Sequence, residues 1–177
     1  MDSEFSLSIT PLEPEDLELL YTIENNPQIW NVSGTTAPYS RYALRDYIAN
    51  QQADIYADKQ LRLVIRTQSP GEPTSTPVGL LDLFNYSPQH QRAELGLAIL
   101  QEHQGRGYAQ QALQWLKTYA SQILHLRQVY AVVSTHNTHT INLLQKQGFT
   151  LGATLPQWLT GTDGTPTDAL LLQLFFT

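Results

Sequence analysis

The chain has 177 residues, 15% of them charged, with a formal net charge of −6 and no cysteine. That length fits one domain over residues 1–177 burying roughly 70% of its unfolded surface, and the missing cysteine excludes disulfides, thiolate nucleophiles and cysteine-ligated metals. The acidic balance weighs against nucleic acid and suits a cationic small molecule; with no basic, apolar leader after Met1 and no apolar run long enough for a membrane helix, the expectation is a soluble, cytoplasmic protein without a membrane partner.

Residues 5–9 alternate apolar and polar side chains, the pattern of a half-buried strand. Pro11 and Pro14 break it, and Pro14-Glu15-Asp16 opens a helix with acids in its first turn. Leu17, Leu20 and Tyr21 fall on one face of that helix, with Glu24 as the exception, before Asn25-Asn26-Pro27 ends it. Residues 31–38 read as a loop, and Ser40 as the cap of a second helix carrying Leu44, Tyr47 and Ile48. A strand at 61–65, a breaker-rich hairpin connection at 69–77 and strands at 78–86 and 91–100 follow. A helix from Arg106 to about Ile123 comes next, with Ala109, Ala112, Leu113, Leu116, Ala120 and Ile123 as its apolar stripe. The wholly apolar run 129–133 suggests a buried strand, 138–147 a helix with Gly148 just past its end, and 149–155 and 169–176 two closing strands. The order β-α-α-β-β-β-α-β-α-β-β predicts an α/β domain with a mixed sheet, joined by hairpins first and parallel around the helix at Arg106.

Two neighbouring stretches carry the chemistry. In residues 94–99, Leu95, Leu97 and Ile99 point to one face, and Glu94, Gly96 and Ala98 to the other. The small pair leaves a trough beside Glu94 on which an extended ligand can lie; Gly96 equally fits a bulge or tight packing. Gln104-Gly105-Arg106-Gly107-Tyr108-Ala109 then forms a glycine-rich turn between strand and helix. Such a turn exposes backbone N–H groups at a helix start, where the dipole favours negative charge, and so can hold a pyrophosphate. The spacing is neither the dinucleotide fingerprint nor a P-loop.

The turn matches the Q/R-x-x-G-x-G/A pattern of the GNAT acetyltransferases. So do Leu12-Glu13-Pro14-Glu15-Asp16-Leu17, residues 77–83, Arg92-Ala93-Glu94-Leu95-Gly96-Leu97-Ala98-Ile99, and His136-Asn137 running on to Gln147-Gly148-Phe149. In this order they make the sequence resemble that superfamily, in its branch of spermidine/diamine and ribosomal-protein-alanine N-acetyltransferases. The resemblance implies a GNAT fold, a mixed sheet of about seven strands flanked by about four helices. It implies acetyl-CoA as cosubstrate, with the backbone of Leu97, Ala98 and Ile99 pairing with the pantetheine arm. Gln104, Gly105, Arg106, Gly107, Tyr108 and Ala109 would hold the pyrophosphate, and Asn137 would contact the pantetheine or the thioester end. Relatives often carry a tyrosine in the L-Y-x-K-x-G-F stretch, thought to protonate the leaving thiolate. Here Leu144 stands in that place, and leucine has no proton to donate.

Glu94 is the expected general base, with an exposed charge paired to Arg92 as the bland alternative. Asp82 is either a contact for a cationic acceptor or an ordinary exposed strand residue. Trp30, Tyr39 and Tyr42 flank the 31–38 loop and are candidate walls of an acceptor pocket. His136 and His139 have no third ligand near them, so no metal site is expected. The activity expected is acetyl transfer to a primary amine, a polyamine or another small amine. A protein N-terminus or an antibiotic amine as acceptor, or a coenzyme A-binding protein with little activity, are the alternatives. The hydrophobic stretch 170–176 needs cover from the core or from a second copy in a homo-oligomer.

Overall fold

Seven strands in the order β1-β2-β3-β4-β5-β7-β6 form one mixed sheet in the computed structural model, which describes residues 6–29 and 35–177. The strands are β1 (Ser6–Pro11), β2 (Leu61–Gln68), β3 (Thr76–Ser87), β4 (Arg92–Ile99), β5 (Gln128–Ser134), β6 (Thr150–Thr160) and β7 (Pro166–Phe175). Besides a helical stretch at 27–29, the helices of the described residues are α1 (Leu17–Glu24), α2 (Arg41–Asn50), the one-turn α3 (Ile55–Asp58), α4 (Tyr108–Thr118) and α5 (Thr138–Lys146). Hairpins lay β1 to β4 side by side as antiparallel neighbours. The connection through α4 then returns β5 parallel to β4. The expected fold class and strand order hold; α3 is a helix that the periodicity did not signal.

Alternation along the strands divides the core. Leu81, Leu83 and Leu95 face Leu113 and Leu116 of α4 and Leu144 of α5. Val64 and Leu80 face Leu20 and Ile23 of α1 with Leu44 and Ile48 of α2. Ser40 caps α2, its hydroxyl accepting from the Ala43 N–H at 3.0 Å.

Several expectations shift. The buried face of α1 is Leu19, Leu20 and Ile23 rather than Leu17, Leu20 and Tyr21, because a 3-10 turn at Pro14–Asp16 rotates the entry to the helix. The helix beginning at Tyr108 leaves α geometry after Thr118 and continues as a π turn, Tyr119–Ile123. The wider turn rotates the stripe, so Ala112, Leu113, Leu116 and Ala120 are buried while Ile123 is 62% exposed. The stretch 170–176 is no sheet edge. β7 lies between β5 and β6, with Ala169 and Leu172 fully buried, and the edge is β6, which exposes Leu151 and Trp158. Phe5 and Trp30 lie outside the described residues, as does the 31–34 part of the loop.

Candidate active site

β4 pairs with β3 along its length, from Glu94 opposite Phe84 to Ile99 opposite Gly79. On its other side it pairs with β5 only at Arg92, Ala93 and Glu94, opposite Gln128, Val129 and Tyr130. Beyond Glu94 the two parallel strands diverge. Residues 95–99 of β4 therefore present one backbone edge with no strand beside it among the described residues. In a strand such an edge is a row of N–H and C=O groups able to pair with an extended ligand. Leu97, Ala98 and Ile99 lie on this edge.

The glycine-rich turn closes the open end of the cleft. Gly105 (φ 76°) and Gly107 (φ 81°) both occupy the left-handed region, and a Cβ on either would meet nothing within 4 Å. Backbone conformation, not crowding, requires glycine there. The Gln104 side chain ties the turn back to β4, its Nε2 donating to the Ile99 carbonyl at 3.0 Å. Arg106 is exposed, whereas Tyr108 is buried and Ala109 half-buried. Gly107 caps α4 without a side-chain hydrogen bond, leaving the first-turn N–H groups at the dipole's positive end for an anion. These residues fit a pyrophosphate: an unpaired edge leads to a turn whose free donors are backbone amides.

Glu94 stands where the cleft closes. Asn85 Nδ2 donates to its Oε2 at 2.8 Å, and no ion pair with Arg92 forms among the described residues. Glu94 is half-buried, and the pairing with Arg92 that the bland alternative requires is not among the ion pairs that the described residues make. Gly96 is a position of tight packing, since a Cβ there would lie 3.2 Å from both Asp82 Cβ and Phe84 Cε1. The expected trough is narrowed by those two β3 side chains.

Asp82 is not an ordinary exposed residue. Arg62 grips it through Nε at 2.9 Å and Nη2 at 2.8 Å, and holds Glu24 through Nη1 at 2.6 Å. Burial weighs against the Arg62 charge, but the two carboxylates more than offset this and raise its pKa. One guanidinium against two carboxylates leaves the cluster a single net negative charge beside the cleft. Glu24, the exception on the predicted apolar face, is explained by this pairing. Tyr47 packs under Arg62, with the guanidinium carbon 5.7 Å from its ring centroid, and burial pushes the phenol's pKa up.

Other expected residues stand elsewhere. Tyr42 is 78% exposed, and the backbone of Tyr39 is pinned by Asn25, which accepts from its N–H at 2.7 Å and donates to its carbonyl at 3.0 Å. Asn137 caps α5, its Oδ1 accepting from the Thr140 N–H at 3.1 Å. His136 is exposed beside it, and His139 is exposed in the first turn of α5. Leu144 is 2% exposed, packed in the core beneath α4. Two residues that the sequence did not single out, Asn85 and Tyr130, flank Glu94.

Comparison with known proteins agrees with this layout. The model of the acetyltransferase (GNAT) domain matches residues 6–150. A spermidine N(1)-acetyltransferase of Escherichia coli is 28% identical over 151 residues, covering 85% of this chain and 76% of that protein. Another, of Vibrio cholerae, is 26% identical over 143 residues, covering 81% and 78%. The crystal structure of the Vibrio cholerae spermidine N-acetyltransferase in complex with CoA and spermine superposes with a TM-score of 0.82 at 23% identity, covering 98% of this chain and 96% of that one. A dodecameric structure of the Vibrio cholerae protein superposes with a TM-score of 0.76 at 24% identity, covering 96% and 93%. The match to the domain model over most of the chain and the diverging β4 and β5 above a glycine-rich turn lead to one conclusion: the chain is a member of the GNAT acetyltransferase family.

Proposed function

We propose that this acetyltransferase moves the acetyl group of acetyl-CoA to a primary amine of a polyamine or another small cationic amine, with Glu94 as general base. The observation that carries the reading is Glu94 at the closed end of the β4–β5 cleft, held by Asn85 and without an ion pair among the described residues. The names of the curated relatives support a polyamine as acceptor.

An alkyl amine with a pKa of about 10.4 is roughly one part in a thousand neutral at pH 7.4, so the acceptor arrives as an ammonium. The net negative charge of the Glu24–Arg62–Asp82 cluster, added to that of Glu94, favours its approach. The Glu94 carboxylate accepts the ammonium proton, directly or through one water, and the freed nitrogen attacks the acetyl carbonyl. The carbon–sulfur bond breaks as the carbon–nitrogen bond forms, and the nitrogen sheds its second proton. The leaving thiolate takes up one proton through water, and the net release is one proton to solvent per turnover. Acetyl-CoA supplies the activated acyl group and a good leaving group, so no covalent enzyme intermediate is required. Proximity and base assistance, the latter about 10²–10⁴-fold, account for the acceleration.

Leu144 keeps a second reading in view, a coenzyme A-binding protein of low activity, because the position is apolar and closed to the cleft. The two separate on Glu94→Gln in an assay of thiol release from acetyl-CoA with polyamines, other small amines and N-terminal peptides. The transferase reading expects turnover with a polyamine, lost by about 10²-fold or more in the variant at unchanged coenzyme A affinity. Full activity of the variant refutes the base assignment, and tight binding without turnover across the panel favours the second reading. A homo-oligomer joined through the exposed Leu151 and Trp158 on edge strand β6 belongs to the same proposal, and light scattering checks it.

A further inference from the structure

Tyr130 faces Glu94 because of the topology. The two are directly paired in the parallel β4–β5 ladder, in the last pair before the strands diverge. Paired residues of neighbouring strands carry their side chains on the same face, so phenol and carboxylate rise side by side where the cleft closes. Asn85 approaches Glu94 from β3. Its backbone is left-handed, φ 49°, at the irregularity where β3 and β4 change register between Phe84 and Ser87. Asparagine tolerates that conformation better than most residues. A bulge of this kind re-aims a side chain, and here the amide reaches Oε2 of Glu94.

We propose that Tyr130 is a positioning residue for acetyl transfer: its phenol, with the Asn85 amide, holds the Glu94 carboxylate toward the acceptor. The proposal rests on the reading of Glu94 as base. The phenol's own ionisation supports it. Burial raises the Tyr130 pKa, and the charge and hydrogen bonding of Glu94 raise it further against the opposing charge of Arg92. Arg92 and Glu94 are the charged groups acting on it, both from β4, while its β7 partner Gln173 is neutral. A phenol that keeps its proton remains a donor wherever the carboxylate is ionised. Two neutral donors fix the carboxylate without cancelling its charge, as an arginine would. Glu94 thus keeps both its attraction for an ammonium and a lone pair for the ammonium's proton.

Tyr130→Phe tests this by removing only the hydroxyl. The expected result is a loss of about tenfold in kcat, the size of one hydrogen bond. Coenzyme A affinity stays unchanged, and the acid limb of the kcat/KM profile moves to higher pH, since a carboxylate that loses a donor protonates more readily. In a Glu94→Gln background the same substitution has no further effect, because residues acting through one group are non-additive. Wild-type kcat with a wild-type pH profile in Tyr130→Phe overturns the proposal, as does a loss that recurs in full beside Glu94→Gln. Full activity of Glu94→Gln alone defeats instead the base assignment beneath it, so the two failures are distinguishable. A second measurement needs no turnover: carbon-13 NMR of tyrosine labelled at Cζ, with Tyr130 assigned by its Phe variant. Tyr130 should titrate above the ordinary tyrosine range and move down in Glu94→Gln. A titration that Glu94→Gln leaves in place means that the phenol is not held against the carboxylate, and the proposal falls.

Discussion

Arg62 and Asp82 meet as a two-toothed fork across β2 and β3, guanidinium nitrogens to carboxylate oxygens at 2.9 and 2.8 Å, with both side chains about one-seventh exposed (15% and 14%). The pair stands directly across from Gly96, so a charged, sheltered cluster is built into the wall of the cleft. Breaking such a pair from one side leaves a sheltered charge poorly compensated, whereas a surface pair costs little. Asp82→Ala is therefore expected to destabilise the fold by about 3 kcal/mol, read as a lower urea midpoint at an unchanged m-value. A midpoint within error of wild type means that water already screens the cluster.

Gly107→Ala isolates the backbone requirement of the turn. A methyl group there has open space around it, so the whole cost is the left-handed φ of 81°. That cost is about 1–2 kcal/mol, and turn geometry relaxing to avoid it is expected to weaken coenzyme A binding about tenfold by calorimetry. Unaltered affinity would show that the anion is held elsewhere.

Leu144→Tyr restores the side chain that many relatives carry but is not expected to restore a proton donor. Leu144 packs among Leu113, Phe149 and Leu172, and the new ring and hydroxyl overfill that space. The expected outcome is a loss of about 1–3 kcal/mol in stability, seen as a lower Tm, with no gain in thiol release. Faster release at an unchanged Tm would mean that α5 can turn this position toward the cleft.

Four tyrosines, Tyr47, Tyr86, Tyr119 and Tyr130, hold their protons more tightly than free tyrosine, each chiefly through burial. The unfolded chain, titrating near about pH 10, then binds fewer protons than the folded one, so stability falls as pH rises. The contribution is complete below that pH and is lost as pH climbs through the raised folded values. Urea midpoints are expected to be flat from pH 8 to 9 and to drop above about 10. Tyr119→Phe should flatten the drop: burial alone shifts Tyr119, which stacks on Trp115 at 4.7 Å.

Hydrophobic period and turn chemistry made most of the architecture legible from the sequence. The apolar stripe read from Ala109 to Ile123 required a sheet to pack against, and packs on one from Ala112 to Ala120. The apolar run 129–133 is a strand that buries Val129, Ala131 and Val133 and leaves Tyr130 and Val132 half-buried. Local rules failed where a local geometry changed the period. The 3-10 turn before α1 and the π turn after Thr118 each rotated a face, which moved Leu17 and Tyr21 to the half-buried flank of the core and sent Ile123 into solvent.

By itself the sequence determined the α/β class, the strand order around the Arg106 helix, the glycine-rich turn before that helix and Glu94 as the residue to examine. Each is encoded within a few neighbouring residues, through backbone conformation or alternation. Tertiary structure alone decided the company Glu94 keeps. Asn85 stands nine residues before Glu94 and Tyr130 thirty-six after it, and neither belongs to a motif. Strand register brings them together, and register is a property of the whole sheet, set by which faces must be buried rather than by any local spacing. The Glu24–Arg62–Asp82 cluster is of the same kind. Charges that read as separate surface residues became one sheltered group because β2, β3 and α1 converge, and desolvation there makes ion pairing obligatory.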